Sequence, residues 1–177
     1  MAERRLQSVA ALTSIALVCG VLLAGTQALT AQKVSANHTQ HAQRELRALL
    51  GGSLPAVPEF WVDDVWHLCN GSVVARAQAA GYAGPIELLF ALSTPGSARI
   101  PGKLHGVRIT RHQETPGIAD FLNTPDIGWL AALVDTDPAD VALFDAVTGA
   151  TITSEAIQAA LVEAISRTLH VTVGCET

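Results

Sequence analysis

An uncharged apolar run near the N-terminus limits what this 177-residue chain can form more than any other feature. From Ser8 to Ala31 almost every residue is apolar, and no formally charged side chain occurs between Arg5 and Lys33. A helix needs about 20 such residues to cross the hydrocarbon core of a bilayer. The run therefore predicts a transmembrane helix, followed by enough chain for one domain of ordinary size.

The residues that flank this run predict its orientation. Arg4 and Arg5 precede it, and the positive-inside rule assigns such residues to the cytoplasm. We therefore expect residues 1–34 to form a cytoplasmic stub and a transmembrane anchor, and residues 35–177 to form one extracytoplasmic domain. A cleaved signal peptide is the alternative, because Thr26-Gln27-Ala28 resembles a cleavage site. The apolar run continues past that site, which favours a retained anchor.

The composition argues against several classes of protein. The formal net charge of the chain is −5, and residues 35–177 carry 15 acidic and 8 basic side chains. This balance does not suit a nucleic acid partner, and we expect none. It suits either a docking face for a cationic or electron-carrying partner or simple solubility.

The cysteines do not form a metal-binding pattern. Cys19, Cys69 and Cys175 include no Cys-x-x-Cys pair and no Cys/His cluster, which argues against an iron–sulfur cluster, a haem or a structural zinc. We therefore predict no metal site. In an oxidising compartment Cys69 and Cys175 could form a disulfide, although sequence alone does not establish that they lie within bridging distance.

Apolar clusters separated by turn residues predict an α+β domain on a mainly antiparallel sheet. A helix is expected over residues 35–50, ended by Gly51-Gly52, and a mixed, helical segment packed on the sheet is expected over residues 121–133. The last two strands should form a hairpin around a turn rich in proline and glycine at residues 94–103. The expected strands cover residues 60–68, 72–80, 86–92 and 107–110.

The stretch from Asp145 to Glu155 carries the most chemical information. The short apolar run Val141–Phe144 leads into it and is interpreted as a strand. An amphipathic helix is predicted to leave it, because large apolar residues recur at spacing four. Those residues are Ile157, Leu161, Ile165 and Leu169.

Hydroxyl side chains fill the space between the predicted strand and helix. A hydroxyl-rich turn at a helix start can hold a phosphate, because free backbone N–H groups and the helix dipole both favour an anion there. The same residues also fit an ordinary helix cap after a tight turn. The residues concerned are Thr148, Thr151, Thr153 and Ser154, beside Gly149.

Three segments occur in a fixed order behind the predicted anchor. They are Gly81-Tyr82-Ala83-Gly84-Pro85-Ile86, His112-Gln113-Glu114-Thr115-Pro116-Gly117 and Asp145-Ala146-Val147-Thr148-Gly149-Ala150-Thr151. Together with the anchor they resemble the G subunit of the Rnf (Rsx) electron transport complex, and its relative, the C subunit of the sodium-pumping NADH:quinone reductase. The resemblance covers nearly the whole chain.

This resemblance implies a covalent FMN, attached through its phosphate to Thr151 by a separate extracytoplasmic flavin transferase that uses FAD and magnesium. Gly149 would let the backbone approach the phosphate, and the turn residues beside it would offer hydrogen bonds. Glu114 and Thr115 are candidates for contacts with the flavin ring, with a rigid turn as the alternative. The remaining cofactor-binding candidates in the turn are Thr148, Ala150 and Thr153.

Three further residues or pairs are interpreted from the same resemblance. We expect Tyr82 to pack against the protein rather than stack on the flavin. His112 could tune the reduction potential of the flavin by charge or hydrogen bonding, and a position behind the site or at the surface is the favoured alternative. Ile118-Ala119 replaces the Leu-Gly that the family usually has there, which puts the backbone geometry of this loop in question.

The predicted function is electron transfer within a Rnf-type complex of a bacterial inner membrane. The resemblance implies a periplasmic domain whose FMN relays electrons in NADH/ferredoxin oxidoreduction coupled to ion translocation. Its partners would be the other membrane and peripheral subunits, and no catalytic base or nucleophile is expected, because the flavin supplies the redox chemistry. The alternatives are the related quinone-reductase component, a free-standing extracytoplasmic flavoprotein and a flavin-free anchored interaction domain.

Overall fold

The computed structural model describes residues 2–51, 61, 63–68, 72–93, 102–168 and 170. The chain divides into two compact units, Met1–Gln40 and His41–Thr177. The predicted domain boundary at residues 34 and 35 lies within the first helix and stays a prediction. Cys69 and Cys175 lie outside the described residues, so their pairing also stays a prediction.

The first helix, α1 (Ala2–Leu49), contains the predicted apolar run. Its part from Val9 to Leu49 is long and apolar enough to cross a membrane, by length and composition. A signal sequence meets the same criteria, so the choice between anchor and signal peptide stays a prediction. The helix expected over residues 35–50 is confirmed as the last part of α1. Gly51, at φ +69°, follows its end in the left-handed conformation that commonly terminates helices.

Four strands form one antiparallel sheet in the order β1-β2-β3-β4. All four predicted strands and the hairpin between the last two are confirmed. Among the described residues the first begins only at Val65, because Asp63 and Asp64 adopt positive φ angles of 50° and 62° that an extended strand does not accommodate. Residues 60 and 62 of the predicted strand lie outside the described residues. The strands are β1 (Val65–Leu68), β2 (Ser72–Ala80), β3 (Pro85–Ser93) and β4 (Leu104–Arg111).

Both faces of the sheet bury apolar side chains, because successive residues of a strand point to opposite sides. In β3, Ile86, Leu88 and Phe90 belong to the larger core, and Leu89 and Ala91 belong to a smaller core on the other face. The last helix, α3 (Thr151–Thr168), packs on the larger-core face, chiefly along β2. The end of α1 contributes to the smaller core.

The helical pattern predicted for α3 is confirmed where the residues are described. Ile157, Leu161 and Ile165 are all buried in the larger core. Leu169, the fourth residue of the pattern, lies outside the described residues. The prediction of an α+β domain is therefore correct, with α3 and the sheet as its two main layers.

The segment between β4 and α3 differs from the expected structure in two places. Val141–Phe144 was interpreted as a strand, and this is wrong: Val141–Leu143 is a 3-10 turn, closed by a 2.9 Å bond from Leu143 N–H to the carbonyl of Asp140. A four-residue apolar run is too short to distinguish the two. Residues 121–133 form two short helices instead of one, Asp120–Asn123 (3-10) and α2 (Trp129–Ala132).

Candidate functional site

The attachment turn, defined here as Val147–Thr151, ends where α3 begins. The carbonyl of Val147 accepts a 2.9 Å hydrogen bond from Ala150 N–H, which closes a four-residue turn. Gly149 has φ +84°, as a type II turn requires at its third residue. A Cβ built on this glycine would have no neighbour within 4 Å, so the turn is open on that side.

Hydrogen bonds from three side chains fix the backbone that leads into the turn. Two of the side chains, Ser154 and Gln158, come from α3, one helical turn apart, and the third is Trp129 of α2. The bonds run from Gln158 Nε2 to the carbonyl of Phe144 (2.7 Å), from Trp129 Nε1 to the carbonyl of Asp145 (2.8 Å) and from Val147 N–H to Ser154 Oγ (3.0 Å). The backbone is therefore held at Phe144 and Asp145, directly before the attachment turn, and at Val147, its first residue.

The four hydroxyl side chains of this region fall into two groups by burial. Thr148 and Thr151 are exposed, whereas Thr153 and Ser154 are buried, with 2% and 0% of their surface accessible. Ser154 accepts from Val147 N–H, and Thr153 donates to a carboxylate. The proton of Thr153 is therefore in use, and only Thr148 and Thr151 present free hydroxyls to solvent.

Glu114 brings the three sequence segments together. Its side chain is 6% exposed, and each carboxylate oxygen accepts one hydrogen bond. Ala83 N–H donates to Oε1 at 2.9 Å, and Thr153 Oγ1 donates to Oε2 at 2.8 Å. These partners lie 31 and 39 residues away along the chain, one in the first segment and one two residues after the third.

Glycine at position 81 is required for this arrangement. A Cβ there would overlap Glu114 Oε1 and would lie 2.6 Å from Ile86 Cδ1. The first segment also closes on itself, since Gly81 N–H donates to the carbonyl of Gly84 at 3.0 Å. Its backbone can therefore approach the carboxylate only because residue 81 has no side chain.

Thr115 is exposed beside the buried Glu114. Its carbonyl accepts a 3.1 Å bond from Ala119 N–H, and Gly117 has φ +87° within the loop. Ala119 has φ −104° and ψ 20°, which any residue can adopt, so the alanine that replaces the family's glycine does not strain the loop. Ile118 is 57% exposed.

His112 stabilises the loop that contains Glu114 and Thr115. Its Nδ1 accepts from Glu114 N–H at 3.3 Å, so the ring proton lies on Nε2, which donates to Asn123 Oδ1 at 3.2 Å. The expectation for Tyr82 was wrong: the side chain is 74% exposed and does not pack in the protein. Tyr82 follows the residue that passes closest to Glu114, and the loop turns its side chain outward.

Sequence reasoning missed the side chains that hold the backbone before the turn. Gln158 and Trp129 were not among the predicted site residues. For Gln158 a signal exists, because a polar residue next to Ile157 and four residues after Ser154 lies on the buried side of α3, where polar groups need a partner. No comparable signal distinguishes Trp129 from an ordinary core residue.

The residues present fit a phosphate group at the attachment turn. The first N–H groups of an α-helix have no acceptor within the helix, and they point along its axis toward the preceding turn. Thr151 is the first residue of α3, and the region around Gly149 is open. Within the described residues, no group of three or more His, Cys, Asp or Glu side chains could hold a metal ion.

Comparison with known proteins agrees with this geometry. Residues 81–166 match the FMN-binding domain family. The match includes all three sequence segments, the carboxylate that joins them and most of α3. By this match, the part of the chain that carries the site is an FMN-binding domain.

Individual relatives specify the class further. The chain is 31% identical to the G subunit of the ion-translocating oxidoreductase complex of Stutzerimonas stutzeri, over 86% of this chain and 77% of that protein. It is 30% identical to the corresponding protein of Pasteurella multocida, over 82% and 84% of the two chains. The G subunit from Methanosarcina acetivorans is 36% identical over 54% of this chain and 50% of that protein. The chain belongs to the family of G subunits of ion-translocating oxidoreductase complexes.

Proposed function

We propose that this protein is the electron-transfer subunit of a membrane-bound Rnf-type oxidoreductase complex and carries an FMN linked by a phosphoester to Thr151. The observation that carries the proposal is the position of Thr151. Its exposed hydroxyl lies at the first residue of α3, which is also the last residue of the attachment turn, and three side-chain hydrogen bonds hold the backbone at the start of that turn.

The chain supplies attachment and orientation in this proposal. FMN, when bound, supplies the redox chemistry by taking up and passing on electrons. The helix N-terminus stabilises the negative charge of the phosphodiester through free N–H groups and the helix dipole. Gly149 allows the backbone to approach, and the Thr148 hydroxyl is free to donate a hydrogen bond to a phosphate oxygen.

The modification is a group transfer without oxidation or reduction. Thr151 Oγ1 forms a bond to the phosphorus of the FMN half of FAD, and the pyrophosphate P–O bond of FAD breaks. AMP leaves, and the proton of the threonine hydroxyl passes to solvent. The transferase supplies FAD and magnesium, so the chain needs no catalytic base of its own.

Burial predicts which hydroxyl is modified. Thr153 and Ser154 are inaccessible to a transferase, so the choice lies between Thr151 and Thr148. Thr151 has the advantage of the helix N-terminus, whereas Thr148 lies in the middle of the turn. We therefore expect the flavin on Thr151 alone.

The test uses the full chain, expressed with a flavin transferase that is exported from the cytoplasm. The denatured protein should give a fluorescent band on a gel under ultraviolet light. Thr151→Ala should abolish the band, and Thr148→Ala, the matched exposed threonine, should retain covalent flavin. Loss in Thr148→Ala with retention in Thr151→Ala would contradict the assignment, and a wild-type protein without flavin would contradict the function.

The same experiment tests the orientation. We propose that α1 is retained as a membrane anchor and that the FMN-binding domain lies in the periplasm, with the other subunits of the complex and the transferase as its partners. A transferase confined to the cytoplasm should then leave the protein without flavin. Equal labelling by the exported and the confined transferase would contradict a periplasmic domain.

A further inference from the structure

We propose that Glu114 is a positioning residue that holds the first turn of α3 in the orientation in which Thr151 can be modified. The inference rests on the proposed attachment of FMN to Thr151. Glu114 was expected to contact the flavin ring, and the contacts of its carboxylate point to a different role.

Both carboxylate oxygens of Glu114 are occupied by the protein itself. Ala83 N–H and Thr153 Oγ1 donate to them at 2.9 and 2.8 Å, and the side chain is 6% exposed. Moving Oε2 toward a flavin would leave the buried Thr153 hydroxyl without its acceptor, which is unfavourable, and moving Oε1 would break the part-buried bond from Ala83 N–H. Glu114 therefore acts on the site through the residues that it binds.

The bond to Thr153 determines which way Thr151 faces. Successive residues of an α-helix are rotated by about 100°, so residues two positions apart lie on nearly opposite sides of the helix. Because Glu114 holds Thr153 against the domain, Thr151 must lie on the outer side. The burial of the two threonines agrees, since Thr153 is 2% accessible and Thr151 is exposed.

The hydrogen bond from Ala83 N–H holds the other oxygen of the Glu114 carboxylate, Oε1. The Gly81–Pro85 loop approaches so closely that a Cβ at Gly81 would overlap Glu114 Oε1. A methyl group at position 81 should therefore displace the carboxylate without changing its chemistry, and it would also press on Ile86 Cδ1 at 2.6 Å and on the carbonyl of Gly84 at 2.9 Å. Gly84 provides the matched control in the same loop, because a Cβ there would lie 3.4 Å from Gln113 Oε1, an ordinary contact.

The test measures the rate of flavin attachment to the full chain by the exported transferase, as fluorescence per protein against time. Glu114→Ala and Gly81→Ala should each slow attachment by at least about ten-fold, because the first turn of α3 loses its fixed orientation. Gly84→Ala should load at the wild-type rate. Glu114→Gln should stay within about three-fold of wild type, since its amide can accept from Ala83 N–H and donate to Thr153 Oγ1.

The Glu114→Gln variant distinguishes a positioning role of Glu114 from a role that needs its negative charge. Attachment to Glu114→Gln as slow as to Glu114→Ala would overturn the proposal, because the negative charge itself would then be needed. Attachment to Gly81→Ala at the rate of Gly84→Ala would overturn it too. If Glu114→Ala does not accumulate as folded protein, Glu114→Gln and the two glycine variants decide the question.

A second readout does not depend on the flavin. In protein made without the transferase, hydrogen exchange followed by mass spectrometry should show loss of protection at the Ala83 amide in Gly81→Ala, with strand β4 and the part of β3 after Ile86 unchanged. Unchanged protection at Ala83 would overturn the proposed contact. A wild-type chain that takes up no flavin would refute the proposed function alone, and the exchange result would still stand.

Discussion

Ser154 makes more hydrogen bonds than any other hydroxyl near the attachment turn. Its fully buried oxygen accepts from Val147 N–H at 3.0 Å and shares its proton between the carbonyls of Ala150 and Thr151, at 3.0 and 3.1 Å. A single side chain thus joins the beginning and the end of the turn. The turn owes its shape to this serine as much as to the positive φ of Gly149.

Ser154→Ala should destabilise the domain by about 1–3 kcal/mol, because the N–H group of Val147 loses its acceptor in a half-buried position. Urea unfolding of the full chain, followed by tryptophan fluorescence, would measure this. Ser166→Ala is the control in the same helix, since Ser166 is exposed and donates only to the carbonyl of Glu163. Equal stability of the two variants would contradict the role assigned to Ser154.

Single residues also show what the sequence can and cannot predict about the site. The candidate hydroxyls could be found, because they precede an evident amphipathic helix. Their division into exposed and buried groups could not, because it depends on partners far away in the chain. Thr153 is occupied by Glu114, 39 residues earlier, and no local pattern encodes that distance.

At the scale of elements, the end of α1 forms part of the domain that carries the site. Leu46 is 7% exposed and packs with Trp66 and Leu89 on the smaller-core face of the sheet. Leu49 contacts Gly106 of β4, where a Cβ would approach its Cδ1 to 3.0 Å. The sheet is therefore covered on both faces, by α3 on one side and by the end of α1 on the other.

An ion pair adds to this packing. Arg108 of β4 lies 3.8 Å from a carboxylate oxygen of Glu45 and 2.7 Å from Asp126. Its side chain is 12% exposed, and its Nε has no hydrogen-bond partner within the described residues. The end of α1 is thus attached to the sheet by apolar contacts first and by a loose ion pair second.

Leu46→Ala should lower the stability of the domain by about 2–4 kcal/mol, because it opens a cavity between α1 and the sheet. Leu143→Ala, at a position 77% exposed, should change it by less than about 0.5 kcal/mol. Thermal unfolding of both variants in detergent would compare them. A Leu46→Ala protein as stable as Leu143→Ala would mean that α1 does not contribute to the folded domain.

Strands and helices could be predicted where the apolar sequence pattern was long, or where two apolar runs flanked a turn. The hairpin of β3 and β4 follows from two apolar runs around a turn rich in proline and glycine, and α3 follows from a repeat over three turns. The strand prediction for Val141–Phe144 was wrong because four apolar residues fit either a strand or a 3-10 turn. The outcome depended on tertiary contacts: Val141 is buried in the larger core, Phe144 packs against that core while half-buried, and a side chain of α3 takes up the carbonyl of Phe144.

At the scale of the whole molecule, charge is distributed unevenly along the chain. No lysine or arginine occurs between Arg111 and Arg167, a range that contains nine acidic residues. Eight of these are exposed, and only Glu114 is buried. The segment 112–166, which contains the attachment turn, therefore exposes acidic side chains and carries no lysine or arginine, and such a charge attracts cations and slows the approach of anions.

The sequence predicted the sign of this charge but not its relation to the site. The net charge and the acidic excess can be counted directly. Arg108 and Arg111 lie on β4, and the attachment turn lies in the acidic segment between β4 and α3, as the order of elements along the chain shows. Which partner uses this surface is a property of the complex, and one chain does not encode it.

The acidic surface predicts how the bound flavin exchanges electrons with small charged reagents. A cationic reductant, such as a reduced viologen, should reduce the flavin about ten-fold faster at low than at high ionic strength, because salt screens the attraction. An anionic reductant should show the opposite dependence. Stopped-flow measurement of flavin absorbance in the flavinylated full chain would determine how the rate of reduction by each reagent depends on ionic strength. Equal salt dependence for the two reagents would contradict a field that acts at the flavin.

A pair of variants in α3 tests where that field originates. Glu155→Gln removes a charge one turn from Thr151, within the Debye length of about 10 Å. It should therefore weaken the salt dependence seen with the cationic reductant. Glu163→Gln removes the same charge twelve residues from Thr151, about 18 Å along the helix, and should leave the dependence unchanged at moderate salt. Equal effects of the two variants would mean that the net charge of the domain, and not the surface around the attachment turn, controls the approach of the reductant.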